Sequence, residues 1–316
     1  MDMARTALTV VGSYNVGLFL KGDRLPSVGE TVIGNKFHEG GGGKGSNQAV
    51  AASRFGAQTR FVGRIGNDKY GQDALAMYKR LGINTDLIKV DTTIHSGISV
   101  IIIDRDGRNL IAVVPGANFH LAKEDIDAAQ QAFAESCIVG FQLENQLEII
   151  DYGIRRAHDA GARTLLDPAP ARKLPDDLYP YIDYIKPNES EATILSGVRV
   201  DGVPSARQAG RWFLERGVKT AIVTLGDQGA VLVTADKVEH VPPPKVQALD
   251  STGAGDVFSG ALMTALAQGK KIEEAIVFAN HAAALSVTRL GVIEAIPELS
   301  EVLAFMEKTK KAARGA

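Results

Sequence analysis

Near its C-terminal end the chain reads Asp250-Ser251-Thr252-Gly253-Ala254-Gly255-Asp256, directly before a segment of helical character. The glycines let the backbone approach a ligand closely, and a helix that starts near Asp256 would direct its N-terminal amides and dipole at an anion. A carboxylate there can take a proton from a hydroxyl while the amides stabilise charge on a phosphoryl group. By itself, the stretch fits equally well a plain helix start at which Asp256 is only a capping acid.

Outward from this stretch, strand-like and helix-like segments alternate along most of the chain. Strands are expected at 7–12, 60–65, 138–143, 164–166, 184–186 and 221–225, and helices at 46–55, 69–81, 147–160, 189–195, 207–216, 255–267 and 272–288. This order predicts an α/β fold with a three-layer α/β/α core and a mostly parallel sheet. We expect residues 1–316 to form a single domain of this kind.

Two stretches interrupt the alternation. Residues 16–40 contain the stretches 18–20 and 30–33 with turn residues between them and no helical period, and residues 96–114 read as a β-hairpin. Together they predict a small β-sheet, formed by about residues 16–42 and 92–116, that acts as a lid over the carboxyl edge of the parallel sheet. Apolar strand edges such as Val100 to Ile103 predict a homodimer joined through the lids.

The charge balance argues against two classes of partner. The 316 residues contain 35 basic and 37 acidic side chains, a net charge of -2 that gives no broad attraction to nucleic acid or anionic lipid. No segment approaches the ~18 apolar residues of a membrane span. A cytoplasmic protein without nucleic-acid or membrane partners is therefore expected.

A second glycine-rich stretch, Glu39-Gly40-Gly41-Gly42-Gly43-Lys44-Gly45-Ser46-Asn47, comes just before the helix expected at 46–55. A flexible linker is the plain alternative, but linkers do not usually place Lys-Gly-Ser-Asn before a small-residue helix. The stretch is not a P-loop, because His38 stands where that motif needs its first glycine and Gly45 where it needs Ser or Thr. A dinucleotide-dependent reductase is the least expected function, because no Gly-x-Gly-x-x-Gly follows the first strand.

The two motifs, at 42–49 and 250–256, resemble the signatures of the ribokinase branch of the ribokinase-like (PfkB) carbohydrate kinases. Shorter stretches support this in the family's order, among them Asp167-Pro168-Ala169-Pro170-Ala171 and Lys186-Pro187-Asn188-Glu189-Ser190-Glu191. The resemblance covers about residues 8 to 297. It implies the ribokinase-like fold and ATP-dependent transfer of a γ-phosphoryl group to a primary hydroxyl of a pentose or related sugar.

The resemblance also implies roles for single residues. Asp256 matches the catalytic base, and Gly253, Ala254 and Gly255 the anion-binding turn before it. The positions that match sugar-binding residues are Asn15, Gly43, Lys44, Asn47 and Glu144, together with Asp256. The positions that match nucleotide-binding residues are Asn188, Thr224, Gly226, Gly229, Gly255 and Asn280. Glu191 matches a residue that arranges Mg²⁺ through water, and a monovalent cation such as K⁺ is implied at Asp250 and Thr252, with Ser286, Arg289 and Gly291 nearby as backbone contributors.

The chain departs from the family pattern at two positions. Ribokinases usually carry Asp two residues after the asparagine that matches Asn15, whereas this chain has Gly17, which removes an acceptor for sugar hydroxyls and leaves room for a bulkier or differently substituted substrate. Ala295 stands where the family often has Ser near the cation, so potassium dependence stays open. Other functions also stay open: a kinase for a nucleoside, deoxyribose, a ketohexose or a polyol, or a sugar-binding regulatory protein without turnover.

Overall fold

A computed structural model describes residues 7–314. The strands are β1 (Ala7–Val11), β2 (Asn15–Gly22), β3 (Gly34–Gly42), β4 (Gln58–Gly66), β5 (Ile88–Asp91), β6 (Gly97–Ile103), β7 (Asn109–Val114), β8 (Ser136–Phe141), β9 (Arg163–Leu166), β10 (Tyr184–Ile185), β11 (Thr220–Thr224), β12 (Ala230–Val233) and β13 (Val238–Val241). The α-helices are α1 (Lys44–Arg54), α2 (Lys69–Arg80), α3 (Lys123–Ala128), α4 (Gln130–Glu135), α5 (Leu147–Asp159), α6 (Glu189–Ser196), α7 (Val203–Glu215), α8 (Ala254–Ala267), α9 (Ile272–Ser286) and α10 (Leu299–Arg314).

A nine-stranded sheet forms the centre of the fold, in the order β13-β12-β11-β10-β9-β8-β1-β4-β5. Its neighbouring strands pair in parallel except at β12, which is antiparallel to both β11 and β13. The mostly parallel sheet predicted from the sequence is therefore confirmed. Strands β5, β12 and β13 and helices α3, α4 and α10 were not predicted.

Helices cover both faces of this sheet and make the three-layer core. Helices α1, α2, α8, α9 and α10 bury their apolar residues on one face, and α3 to α7 bury theirs on the other. Strand β1 serves both layers, since Leu8 and Val10 join the first core and Val11 the second. Burial on both faces explains why the central strands read as continuous apolar runs. Within the described residues, no helix is long and apolar enough to span a membrane.

Helices α1 and α8 pack unusually close together, and this positions the site. A Cβ atom at Gly260 of α8 would lie 2.6 Å from Cβ of Ala51 and 2.7 Å from the carbonyl oxygen of Gln48, both in α1. Only glycine fits such an approach without a shift of backbone. The two helices start at Lys44 and Ala254, so the N-terminal turns of both motifs lie side by side.

A second, four-stranded sheet has the order β3-β2-β6-β7, as the predicted small sheet requires. Strand β2 runs parallel to β6 and antiparallel to β3. Two details of the prediction were wrong. The stretch 30–33 precedes β3 rather than forming a strand, and Ile33 is exposed to solvent. Residues Val100 to Ile103 belong to β6, an interior strand, so the edges of this sheet are β3 and β7.

Candidate active site

The first turn of α8 holds a buried carboxylate. Gly253 takes a left-handed conformation with φ 78°, which suits glycine, and α8 begins at the next residue. Asp256 is only 4% exposed, and its Oδ2 accepts a 2.8 Å hydrogen bond from Nδ2 of Asn47. Gln48 Nε2 lies 3.4 Å from its Oδ1. The carboxylate is thus fixed beside the free amides of a helix N-terminus.

The surroundings of Asp256 shift the pKa of its carboxyl group. Burial raises its pKa above the usual value for aspartate, because a charged carboxylate loses water there. The nearby Lys44 ammonium opposes this shift, and the Asp167 carboxylate adds to it. A carboxylate with a raised pKa is a better proton acceptor than an ordinary one.

A buried ion pair between Asp167 and Lys186 lies next to the N-terminus of α8. Oδ2 of Asp167 accepts from Gln48 Nε2 at 2.9 Å and Ser259 Oγ at 3.0 Å, and it pairs with Lys186 Nζ at 2.8 Å. Lys186 Nζ also donates to the carbonyl oxygen of Gly255 at 3.2 Å. Sequence reasoning assigned no role to Asp167 or Lys186. Their place directly after β9 and β10, at the carboxyl edge of the parallel sheet, was the available indication.

Lys44, the first residue of α1, is half-buried and faces several carboxylates. Burial alone would lower the pKa of its ammonium group, but the carboxylates outweigh burial and raise that pKa above its usual value. The carboxylates, from the strongest effect to the weakest, belong to Asp256, Asp167, Glu144 and Glu191. Lys44 therefore stays charged between the two glycine motifs.

Glu144 and Asn15, two of the residues expected to bind sugar, lie together near the start of α1. Oε2 of Glu144 accepts from the backbone N–H of Lys44 at 2.9 Å, from Ser13 Oγ at 2.5 Å and from Asn15 Nδ2 at 3.3 Å. Oδ1 of Asn15 accepts from Asn118 Nδ2 at 2.9 Å. Asn47 adds an unpaired acceptor, because its buried Oδ1 has no hydrogen-bond partner in the described chain.

The space expected beside Gly17 is partly filled. A Cβ atom at Gly17 would lie 2.6 Å from Cε2 of Phe19, so the aromatic ring covers this glycine. Both residues point to the same face of β2, because strand residues alternate. The ring occupies the room that the sequence suggested for a bulkier substrate.

A cleft of about 840 Å³ reaches Asp256, which lines it together with Lys44. It is lined by the predicted residues Asn188, Thr224, Gly226, Gly229, Gly255 and Asn280. Nδ2 of Asn280 donates to the carbonyl oxygen of Val241 at 3.0 Å, which fixes the amide at the wall. An apolar part of the wall, which no sequence motif indicated, is formed by Pro243, Val246, Ala283 and Val287. The size and mixed polarity of the cleft suit a nucleotide.

Asn188 and Glu191 form a capping box at the start of α6. Asn188 Oδ1 accepts from the backbone N–H of Glu191 at 2.9 Å, and Glu191 Oε2 accepts from the N–H of Asn188 at 2.8 Å. Burial, followed by the charge of Asp167, raises the pKa of Glu191, while Lys186 opposes the shift. Within residues 7–314 no three metal-binding side chains cluster closely enough to hold a metal ion alone.

The residues predicted for a monovalent cation meet only in part. Oδ1 of Asp250 accepts from N–H and Oγ1 of Thr252 at 2.9 and 2.6 Å, and Gly291 N–H lies 3.4 Å from its Oδ2. The Ser286 hydroxyl donates to the carbonyl oxygen of Ala283, and the Arg289 side chain pairs with Glu301. The last two side chains are therefore engaged elsewhere, as suits residues expected to contribute only through their backbone.

A ribokinase-like core with two converging glycine motifs, a buried carboxylate and a large cleft defines a carbohydrate kinase. The family model described as pfkB family carbohydrate kinase matches residues 5–299, and the chain belongs to that family.

Its relatives differ in the sugar they are named for. A ribokinase of Haemophilus influenzae is 37% identical, covering 96% of this chain and 99% of its own. A deoxyribokinase of Salmonella typhi is 35% identical, covering 93% and 96%. The structure of Arabidopsis thaliana ribokinase complexed with ribose and ATP superposes with a TM-score of 0.87 at 31% identity, covering 95% and 98%.

Proposed function

We propose that this kinase transfers the γ-phosphoryl group of ATP to a primary hydroxyl of a pentose or related sugar, with Asp256 as the base. The observation that carries the proposal is the position of Asp256. It is buried, held by Asn47, raised in pKa, placed at the N-terminus of α8 and part of the wall of the large cleft, and the Lys44 side chain lies near both it and Glu144. The complex of the Arabidopsis relative with ribose and ATP supports the same pair of substrates.

In this mechanism the hydroxyl proton passes to the carboxylate of Asp256. The hydroxyl oxygen forms a bond to the γ-phosphorus as the bond from that phosphorus to the β,γ-bridging oxygen breaks, and ADP leaves. The amides of the turn at Gly253, Ala254 and Gly255 stabilise charge on the transferring group. Because such transition states are loose, catalysis comes mainly from positioning and charge stabilisation rather than covalent chemistry.

The acidic residues of the cleft fit Mg²⁺ that arrives with ATP. Mg²⁺ usually keeps several waters and binds through one or two carboxylates plus substrate phosphates. Glu191, with Asn188 beside it, provides such a carboxylate at the cleft wall, and the buried Oδ1 of Asp167 has no hydrogen-bond partner in the described chain. Bound Mg²⁺ would neutralise charge on the phosphates. The oxygen atoms of Asp250 and Thr252 likewise suit a monovalent cation such as K⁺.

The small sheet of β2, β3, β6 and β7 serves as the lid in this proposal, within a single kinase domain. It carries Asn15 at one end, so movement of the sheet would change the sugar side of the site directly. Closure over the substrates would exclude water, which otherwise competes with the sugar for the phosphoryl group.

A substrate panel tests the proposal. Purified protein with Mg-ATP is offered ribose, 2-deoxyribose, ketohexoses, inositols and nucleosides, and ADP and the phosphorylated product are measured. At least one sugar should be phosphorylated, and Asp256→Asn should lower that rate by ~10² or more, as loss of a general base does. Asp236→Asn, an exposed change in the β12–β13 turn, is the matched control. An Asp256→Asn variant that keeps more than about a tenth of the activity contradicts the assigned base. Tight sugar binding without ADP release would favour a regulatory protein.

A further inference from the structure

Residues 291–294, after α9, straddle the edge strand β3 of the small sheet. Cδ1 of Ile293 lies 3.1 Å from the point where a Cβ atom of Gly41 would stand. Oε1 of Glu294 lies 3.4 Å from the corresponding point at Gly40. Neighbouring strand residues face opposite sides of a sheet, so Ile293 and Glu294 reach its two faces. The glycines of β3 permit this approach because they present no side chains.

The face reached by Glu294 is the face that carries Asn15. In β2, Asn15 and Gly17 are two residues apart and share a face, and Gly17 pairs directly with Gly40 of β3. Oδ1 of Asn15 lies 2.1 Å from the Cβ position of its β6 partner Gly97, so the Asn15 side chain stands on the face of the sheet to which position 97 also points. Residues opposite each other on antiparallel strands have Cβ positions about 5 Å apart. The Glu294 carboxylate therefore lies near Gly17, in the corner next to Asn15.

This corner combines an apolar ring with an unpaired acid. The Phe19 ring covers Gly17, and His38 Nε2 comes within 3.2 Å of the Cβ position of Gly40. Glu294 is exposed and forms no hydrogen bond or ion pair with any residue of the described chain, His38 included. Gly17 and Gly40 present no side chains there, and the His38 ring on the same face of β3 makes no ion pair with the carboxylate. The carboxylate is thus free to accept hydrogen bonds from a ligand.

We propose that Glu294 is a specificity-determining residue of the acceptor site, and this rests on the proposed function. Its two carboxylate oxygens accept hydrogen bonds from two adjacent hydroxyls of the substrate, while the Phe19 ring packs against substrate carbon atoms. The preferred substrate class is therefore a sugar or polyol with a vicinal diol at the end that faces the small sheet. In this arrangement the carboxylate acceptor is Glu294 of the loop after α9. The strand position at Gly17 carries no side chain and is covered by the Phe19 ring.

Glu294→Gln is the central variant, because it keeps the size of the side chain and removes its charge. With the best sugar of the panel, we expect kcat/KM to fall about 10- to 100-fold, mainly through KM, as hydrogen bonds to a charged acceptor are lost. The KM for ATP and the melting temperature should stay unchanged. The kcat/KM of Glu294→Asp for the sugar should lie between those of the wild type and Glu294→Gln. Glu307→Gln, an exposed acid of α10, controls for the change in net charge.

The ratio of two substrates identifies the diol. Glu294→Gln should affect a sugar with both hydroxyls more than its deoxy analogue, so the preference between ribose and 2-deoxyribose should narrow if the diol includes the 2-hydroxyl. A panel in which no pair of sugar and deoxy analogue changes its ratio overturns the diol assignment. A sugar kcat/KM equal to that of the wild type overturns the role of Glu294 altogether. Equal increases in the KM values for sugar and for ATP, together with a lower melting temperature, also overturn this role, because they indicate that Glu294 is structural.

Failure of the proposed function gives a different result. In that case the wild type phosphorylates no sugar in the panel, and Glu294 is judged by the sugar Kd from calorimetry. A weaker Kd in Glu294→Gln than in the wild type supports the binding role without turnover. Equal Kd values, or no sugar binding by the wild type, overturn it.

Discussion

Asn47 Nδ2 donates a 2.8 Å hydrogen bond to Oδ2 of Asp256, and this bond joins the first turns of α1 and α8. The two residues come from motifs at opposite ends of the chain. The contact depends on the close packing of the two helices at Gly260, which sets their N-termini side by side. Orientation of the proposed base is therefore a property of the helix pair rather than of either motif.

Removing this bond should impair catalysis. Asn47→Ala takes away a donor to a buried charged group, and the contact also favours the ionised form of Asp256. We expect kcat/KM to fall about 10- to 100-fold, the usual effect of losing a hydrogen bond to a charge. Steady-state kinetics of Asn47→Ala beside Asn84→Ala, a surface control, measure this. An Asn47→Ala enzyme as active as the control would mean that the bond does not orient the base.

The acid limb of the pH-rate profile should respond to the buried ion pair. Asp256 must be deprotonated to act, so activity should fall as pH drops through its pKa, which burial raises. Lys186 lowers this pKa and Asp167 raises it. Lys186→Met should therefore move the acid limb to higher pH, and Asp167→Asn should move it to lower pH.

Measurements of stability distinguish a shift of the acid limb from a loss of activity through misfolding. Both variants leave one partner of a buried pair unpaired, so both should be destabilised by about 3–5 kcal/mol. Profiles of kcat/KM against pH and urea unfolding at neutral pH give the two readouts. Shifts of the acid limb in the same direction would disprove the assigned electrostatic roles.

Close packing of α1 and α8 predicts a cost for a single methyl group. Gly260→Ala places Cβ 2.6 Å from Cβ of Ala51, so one helix must move. We expect a loss of about 1–3 kcal/mol in the free energy of unfolding, as overpacking usually causes, with reduced activity. Urea denaturation of Gly260→Ala and of Gly22→Ala, whose nearest contact would be an ordinary 3.7 Å, tests this. Equal stabilities for the two variants would contradict the packing.

Association of two chains should occur through the small sheet. Its edge strand β7 exposes Ile111 and Val113, which are 59% and 49% accessible. Exposed apolar edge strands commonly pair with another copy. We expect sedimentation to show a dimer at micromolar concentration that Ile111→Lys dissociates and Leu303→Lys, on α10, does not. A monomeric wild type would rule out the dimer.

Local sequence pattern predicted much of the core. Alternation of apolar segments gave the strands at Ala7–Val11 and Gln58–Gly66 and the helices at Lys69–Arg80 and Leu147–Asp159 within a few residues. Glycine-rich turns before α1 and α8 marked the helix starts that bring Lys44 and Asp256 together. These features depend on residues close in sequence, which is why periodicity and turn chemistry reveal them.

Features that depend on distant contacts were not predictable. Strand order decides which strand forms an edge, so Val100 to Ile103 looked like an edge and proved interior. The pairing of Asp167 with Lys186 depends on burial between neighbouring strands, and no local pattern encodes it. The position of the Phe19 ring over Gly17 depends on the rotamer of Phe19. The sequence indicates only that residue 19 is apolar, not which rotamer it adopts.

The N-terminal end of α1 carries Lys44, Asn47 and Gln48, so the groups proposed to face the sugar and the groups that contact the proposed base belong to one helix. A change there alters chemistry and recognition together. Phe19 and Glu294, the proposed specificity positions, lie instead on a strand and a loop outside the Asp256 network. Substrate preference can therefore diverge in evolution, or be redesigned, through those two positions while the phosphoryl-transfer machinery is inherited intact.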